Sequence, residues 1–218
     1  RFLQFRSHIL EFGARYEFLK YNNNIETYNF NTVSKTYDLF NLLLTNSLRR
    51  QNNQVTANAG FEYRLKNLTL TPGLRWQSQH IVNDISNLLL PINQKTSNLL
   101  PTFSLVYKTL QFYYDRNVFL PGYNYLIAVA DNSNPYYITL GNPDLVPSVR
   151  DQFSLSYRKN DLKKQFTYGF NSNIGFTKKD VIPFITVDAQ GVFTNKPVNQ
   201  NGSRNSFLSF YLNKQYKK

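Results

Sequence analysis

The sequence contains no cysteine and no methionine. Without cysteine there is no disulfide scaffold, no thiolate metal ligand and no thiol nucleophile. Without methionine, even at position 1, the chain reads as a fragment or a processed product, and the lack of a leader peptide carries no information. Long apolar runs are missing as well. The longest, near Leu126–Ala130, falls far short of the roughly 20 residues of a transmembrane helix. That excludes a helical membrane protein and leaves a membrane β-barrel open, because barrel strands alternate and never produce such a run.

Catalytic and metal-binding patterns are equally sparse. The two histidines, His8 and His80, lie far apart without a carboxylate at ligand spacing, so no metal site is expected. No Gly-x-Ser-x-Gly, phosphate-binding glycine loop or His-Glu-x-x-His occurs, and nothing marks a nucleophile with its base. No catalytic residue, enzyme activity or cofactor is therefore expected. Asp131 and Asp144 share one long loop, but Asp131-Asn132-Ser133-Asn134-Pro135 is a run of turn formers whose side chains bond the local backbone. The net charge of +12 comes from scattered basic residues. They form no continuous stripe and no helix is expected to carry one, which argues against nucleic-acid binding.

What the chain does have is aromatic residues, 16 Tyr and 18 Phe among 218 residues, and alternation with a period of two. Leu10, Phe12, Ala14, Tyr16 and Phe18 interleave with Glu11, Gly13, Arg15 and Glu17. Val55, Ala57, Ala59, Phe61, Tyr63 and Leu65 interleave with polar or small residues, as do Leu68, Leu70, Leu74 and Trp76. The same holds for Leu99–Tyr107, Leu110–Tyr114, Phe153–Tyr157 and Phe166–Phe176, and less cleanly for Ser206–Tyr216. This pattern predicts about ten antiparallel strands of roughly 9–15 residues, longer than the usual soluble strand.

Connections alternate between short and long. Short turns are expected at Lys66-Asn67, Lys108-Thr109 and Lys159–Lys164, and long polar loops at Asn83–Asn98 and Pro121–Arg150. Short turns at one end and long loops at the other describe an outer-membrane barrel. Tyr63, Tyr107, Tyr157 and Phe166 stand near the short turns, where a belt of rings would meet a membrane interface. On the opposite face Glu11, Arg15, Glu17, Glu62, Arg64, Arg75, Asp115, Asn171 and Asn173 would point into a polar interior, which requires a wide, wet barrel. A soluble, sugar-binding β-sandwich is the competing architecture. In the Pro121–Arg150 loop, Tyr123, Tyr125, Tyr136 and Tyr137 crowd beside Asp131, Asn132 and Asn134, rings and amides suited to a sugar, peptide or chelate.

Several short motifs carry a resemblance. Tyr113-Tyr114-Asp115-Arg116-Asn117, Pro121, Asp131–Pro135 and Gly141-Asn142-Pro143-Asp144-Leu145-Val146-Pro147 resemble the barrel of TonB-dependent outer-membrane receptors. Gly73-Leu74-Arg75-Trp76 and Leu100–Leu105 look like two further strands of that family, with Ser148 standing where the family usually has Glu. The fuller version looks most like the outer membrane β-barrel family proteins of Bacteroidetes. The resemblance implies that residues 1–218 are part of one all-β, antiparallel transmembrane barrel, without its plug domain or closing strand. It implies a place in the cell outer membrane of a Gram-negative bacterium and import of a bulky, unnamed solute. The partners it implies are outer-membrane lipid, the TonB complex acting through the missing plug, and a surface lipoprotein. Arg116, Pro121, Gly141, Asn142, Pro143, Asp144, Leu145 and Pro147 would be structural, and Tyr123, Tyr125, Asp131, Asn134, Tyr136 and Tyr137 would bind ligand. A passive or structural outer-membrane barrel without TonB coupling is the alternative.

Overall fold

The computed structural model describes residues 2–5, 8–42, 44–86, 91–122, 125–126, 131–134 and 136–214. Its strands run β1 (Phe2–Phe5), β2 (His8–Ile25), β3 (Tyr28–Asn31), β4 (Thr36–Phe40) and β5 (Asn46–Leu65). Next come β6 (Leu68–Ile85), β7 (Ile92–Tyr107), β8 (Leu110–Phe119), β9 (Asp131–Asn134) and β10 (Tyr137–Thr139). The chain finishes with β11 (Ser148–Asp161), β12 (Phe166–Lys178), β13 (Asp180–Val187), β14 (Phe193–Gln200) and β15 (Ser203–Lys214). Nine of them form one sheet in the order β1-β2-β5-β6-β7-β8-β11-β12-β15, each pair antiparallel. Among the described residues no helix is long and apolar enough to cross a membrane.

The register sorts the alternating residues onto two faces. Leu10 pairs with Phe61 and Tyr16 with Val55, Ala57 with Trp76, and Trp76 with Leu99. The apolar surface continues through Leu105 opposite Phe112, Tyr114 opposite Phe153, Tyr157 opposite Phe170 and Phe170 opposite Phe210. On the other face one row reads Glu11, Gly60, Gly73, Thr102, Asp115, Gln152, Gly175 and Asn205, with no apolar side chain larger than hydrogen. Because side chains alternate strictly along a strand, a slip of one residue would exchange the two surfaces. All nine residues expected to line a polar interior fall on the polar face.

The apolar band crosses the sheet obliquely. Phe18 tops it on β2, yet the partner of Phe18 is Asn53, and β5 becomes apolar only two residues further on at Val55. The partner of Val55 is Ser78, and β6 starts again two residues further on at Trp76. Reaching Leu208 on β15, the edge has slipped by about ten residues over seven pairings; at ~3.3 Å per residue and ~4.8 Å between strands this is a tilt of about 45°. A level apolar belt on strongly tilted strands is the geometry of a membrane barrel wall.

Connections also divide by end. At one end the links are two residues at 66–67, two at 108–109 and four at 162–165. Lys66 and Lys108, each first in its turn, adopt positive φ (27° and 53°), which reverses the chain in the hand that suits twisted strands. At the other end, β3–β4 forms a hairpin between β2 and β5. The β8–β11 and β12–β15 connections join into a second sheet ordered β13-β14-β10-β9.

Some loop expectations need correction. Asn83–Asn98 is not a long loop: β6 runs to Ile85 and β7 starts at Ile92. Outer positions Asp84, Asn93, Lys95 and Ser97 are polar there, as are inner Asn83, Gln94, Thr96 and Asn98, so no apolar alternation marked the strands. Asp131–Asn134, read as a turn-forming run, is a short strand paired with β10. The long connections at 26–45 and 179–202 contain hairpins of their own.

Candidate functional site

The Gly-Asn-Pro-Asp-Leu-x-Pro segment does more than lead into β11. Asn142 organises it: its side-chain oxygen accepts from the Asp144 amide (3.1 Å), and its carbonyl accepts from the Leu145 amide (3.4 Å). This is an Asx turn with Pro143 at its corner. Its own amide donates to the Tyr125 carbonyl (2.6 Å), and its side-chain nitrogen donates to the Pro197 carbonyl on β14 (2.9 Å).

The turn presses Leu145 onto the polar-side surface of the wall at the long-loop end. Leu145 and Leu126 are fully buried there with Leu48 of β5 and Ile85 of β6, and Ile92 and Val181 pack at the margin. Pro121, Leu126 and the 140–147 segment thus form a cap folded over the wall. Three polar anchors hold it. Arg50 Nη1 donates to the Pro121 carbonyl (3.2 Å), with Arg50 Nε on Asn83 Oδ1 (2.7 Å). Gln94 Nε2 donates to the Leu145 carbonyl (2.6 Å). Asn199 of β14 accepts from the Val146 amide (2.9 Å) and donates to its carbonyl (3.0 Å). Among the described residues no carboxylate pairs with Arg50, and burial lowers its pKa.

The residues expected to bind ligand separate into groups. Asn134, Tyr136 and Tyr137 gather at the small sheet: Asn134 Oδ1 accepts from the Tyr136 amide (3.0 Å), and Tyr137 pairs with Phe193. Tyr136 is exposed, and its carbonyl accepts from the Phe193 amide (2.9 Å). Tyr125 belongs to the cap, where its exposed ring neighbours Gly122. Asp131 pairs with Thr139 through the backbone. Tyr123 lies outside the described residues. Of the structural motif, Pro121 and Leu145 are buried, while Asp144 is exposed. Arg116 lies on the apolar face, bonded through Nε and Nη2 to Asp151 (2.7 and 2.9 Å), and Tyr114 joins the same carboxylate (2.8 Å). The anchors Arg50, Gln94 and Asn199 carried no sequence signal, since each is an ordinary polar position in a strand. Among the described residues no group of His, Asp and Glu gathers to hold a metal ion.

A two-faced, tilted wall with a loop folded inside it finds its counterpart in one protein family. The sequence model of the outer membrane protein beta-barrel family matches residues 3–218. The chain belongs to that family. Its apolar face therefore meets lipid, its polar face lines the barrel interior, and its place is the cell outer membrane. The soluble sandwich is set aside.

One solved structure supports the fold. The barrel wall is similar to the FrpB iron transporter of Neisseria meningitidis, with 12% identity and a TM-score of 0.53 over 97% of this chain and 31% of that one. Weaker likenesses are the alcaligin outer-membrane receptor FauA of Bordetella pertussis (10%, TM-score 0.47, 98% and 38%) and the siderophore receptor PirA of Acinetobacter baumannii (11%, 0.46, 99% and 41%). The chain spans about a third of the transporter's length. No curated protein matches the sequence.

Proposed function

We propose that residues 1–218 form part of the wall of a TonB-dependent receptor that imports a bulky solute. The observation that carries this reading is the cap: Leu145 and Leu126 are fully buried against the interior face of the wall, so loops rather than wall side chains occupy the mouth. A narrow passive barrel fills its interior with its own side chains, whereas this polar interior needs water or a separate plug to satisfy it. The likeness in fold to an iron transporter supports the same reading. In the full protein a plug domain closes the barrel, and TonB moves it with energy from the inner-membrane proton gradient. Solute capture falls to Tyr123, Tyr125, Asp131, Asn134, Tyr136 and Tyr137 at the long-loop end; of these Tyr125, Asn134, Tyr136 and Tyr137 are exposed. The small sheet also leaves Tyr137, Ile185, Val187 and Phe193 uncovered on one face, a surface suited to a lipoprotein partner.

Uptake measured in cells with and without TonB tests the proposal. Accumulation that requires both the full-length protein and TonB is the expected result. Accumulation that persists without TonB would assign the chain to a passive barrel.

A further inference from the structure

On its lipid side the wall is indented across β2, β5 and β6. Most positions of the apolar band carry large side chains, but Ala14 and Ala57 are register partners, and Ala59 lies between Phe12 and Leu74. Phe12, Leu74 and Trp76 stand around these alanines and bound a furrow of about 520 Å³, which Gly13 and Asn58 also border. The furrow spans two strand spacings, about 10 Å.

Above the furrow the outer side changes in two steps. Asn53, Ser78 and Ser97 come first, with the Tyr16 hydroxyl donating to Asn53 Oδ1 (2.9 Å) and the Trp76 indole donating to Ser97 Oγ (2.9 Å). Lys20, Arg49 and Lys95 follow, all exposed. Lys20 lies six residues beyond Ala14, and Arg49 eight beyond Ala57. On strands tilted by about 45° these separations are about 14 and 19 Å of depth, close to one leaflet of a bilayer whose hydrocarbon core is about 30 Å thick. Among the described residues none of the three cations has an ion-pair partner. Asp84, the register partner of Arg49, is the one carboxylate on the outer side of the described residues of β2, β5, β6 and β7.

We propose that this surface binds one anionic glycolipid of the outer leaflet, with an acyl chain in the furrow and the negative groups of its sugar headgroup on Lys20, Arg49 and Lys95. The inference rests on the membrane placement of the wall and goes beyond the transport reading, since it holds with or without TonB coupling. Charge complementarity selects an anion, and the furrow one leaflet below selects an acylated one. Spacing selects the headgroup. Lys20 pairs with Gln51, Gln51 with Val82 and Val82 with Asn93, two residues from Lys95. Lys20 and Lys95 are thus three strand spacings apart, about 14 Å. The single phosphate of a phospholipid cannot touch both, whereas a sugar headgroup charged at more than one point can. Gln51, His80 and Asn93 stand between the cations on the same side, with groups that bond sugar hydroxyls. A second copy seated on this face about a two-fold axis would instead bring like charges together.

The test is native mass spectrometry of the full-length protein in detergent micelles, titrated with deep-rough lipopolysaccharide and with dioleoylphosphatidylglycerol. The triple substitution Lys20→Gln, Arg49→Gln, Lys95→Gln removes the cations, and Ala57→Phe fills the furrow. The pair Lys178→Gln, Arg204→Gln removes two cations from the outer side of β12 and β15 as a control for charge, and heat-modifiable gel migration reports whether each variant folds. The expected result is one lipopolysaccharide bound at least tenfold more tightly than phosphatidylglycerol. That binding should weaken at least tenfold in the folded triple variant and in Ala57→Phe, and stay at the parent level in the control pair. The proposal is overturned if lipopolysaccharide does not bind or if phosphatidylglycerol binds as tightly, comparisons that need only the parent protein. It is also overturned if the triple variant binds as the parent does, or if the control pair weakens binding as much. A parent that forms dimers, split by Ala57→Phe with lipopolysaccharide binding intact, would give the furrow to a second copy instead.

Discussion

Gly169 and Tyr211 are direct cross-strand partners, and the tyrosine ring lies where a side chain at residue 169 would have to go. A Cβ built on Gly169 would collide with the Tyr211 hydroxyl and with the backbone carbonyl of Tyr157. The second contact is decisive, because a ring can turn aside and a ladder carbonyl cannot. Overpacking of this kind costs roughly 1–3 kcal/mol. Gly169→Ala is expected to lower the midpoint of urea unfolding in lipid vesicles, and Gly169→Val to lower it further. Tyr211→Ala in the Gly169→Ala background should recover little of the loss.

The two faces of β12 make opposite demands at adjacent positions. Phe170 lies on the lipid side with Tyr157 and Phe210, at centroid distances of 6.1 and 6.2 Å. Asn171 lies on the interior side opposite Ser156 and Ser209. Arginine on the lipid face near the midplane costs about 2–4 kcal/mol. Phe170→Arg should sharply reduce the amount of folded protein recovered from outer membranes, while Asn171→Arg should leave it near the parent level. Equal recoveries would contradict the assignment of the faces.

Loosening the cap should be local. Leu145→Asp places a charge in a fully buried apolar cluster, and Asn199→Ala removes both bonds to Val146. Replacing a buried leucine by alanine alone costs about 2–5 kcal/mol, so a charge there should detach the segment. Hydrogen exchange in 125–126 and 136–147 is expected to accelerate in both variants, more in Leu145→Asp. Exchange in β11 and β12, whose ladder bonds do not involve the cap, should remain slow.

Trp76, the one tryptophan of the chain, stands at the long-loop edge of the apolar band between Ala57 and Leu99, with its indole nitrogen donating to Ser97 (2.9 Å). In a protein with position 76 as its sole tryptophan, brominated acyl chains should quench the fluorescence strongly and aqueous iodide weakly. The reverse would take this edge out of the membrane.

Much of the wall was legible because a barrel strand states its role one residue at a time. Leu10–Phe18, Val55–Tyr63 and Phe166–Phe176 declare a lipid side by chemistry alone, and Glu11, Arg75 and Asn171 declare the other. The same reading failed at Asn83–Asn98. Above the membrane edge both sides of a strand meet polar surroundings, so Asn83, Asn93 and Gln94 carry no alternation to count. Asn142-Pro143-Asp144 was readable as a turn, but its destination was not.

The sequence by itself determined the class of fold, the two faces and the short-turn end. Each depends on periodicity or on turn residues that act within a few positions of one another. Only the tertiary structure decided what the long loops do. Leu145 meets Leu48 and Ile85 across some 60 to 100 residues of chain and Asn199 reaches Val146 from β14. Such contacts form because the wall brings distant strand ends to one height, where an ordinary leucine or amide acquires a partner that no local pattern announces.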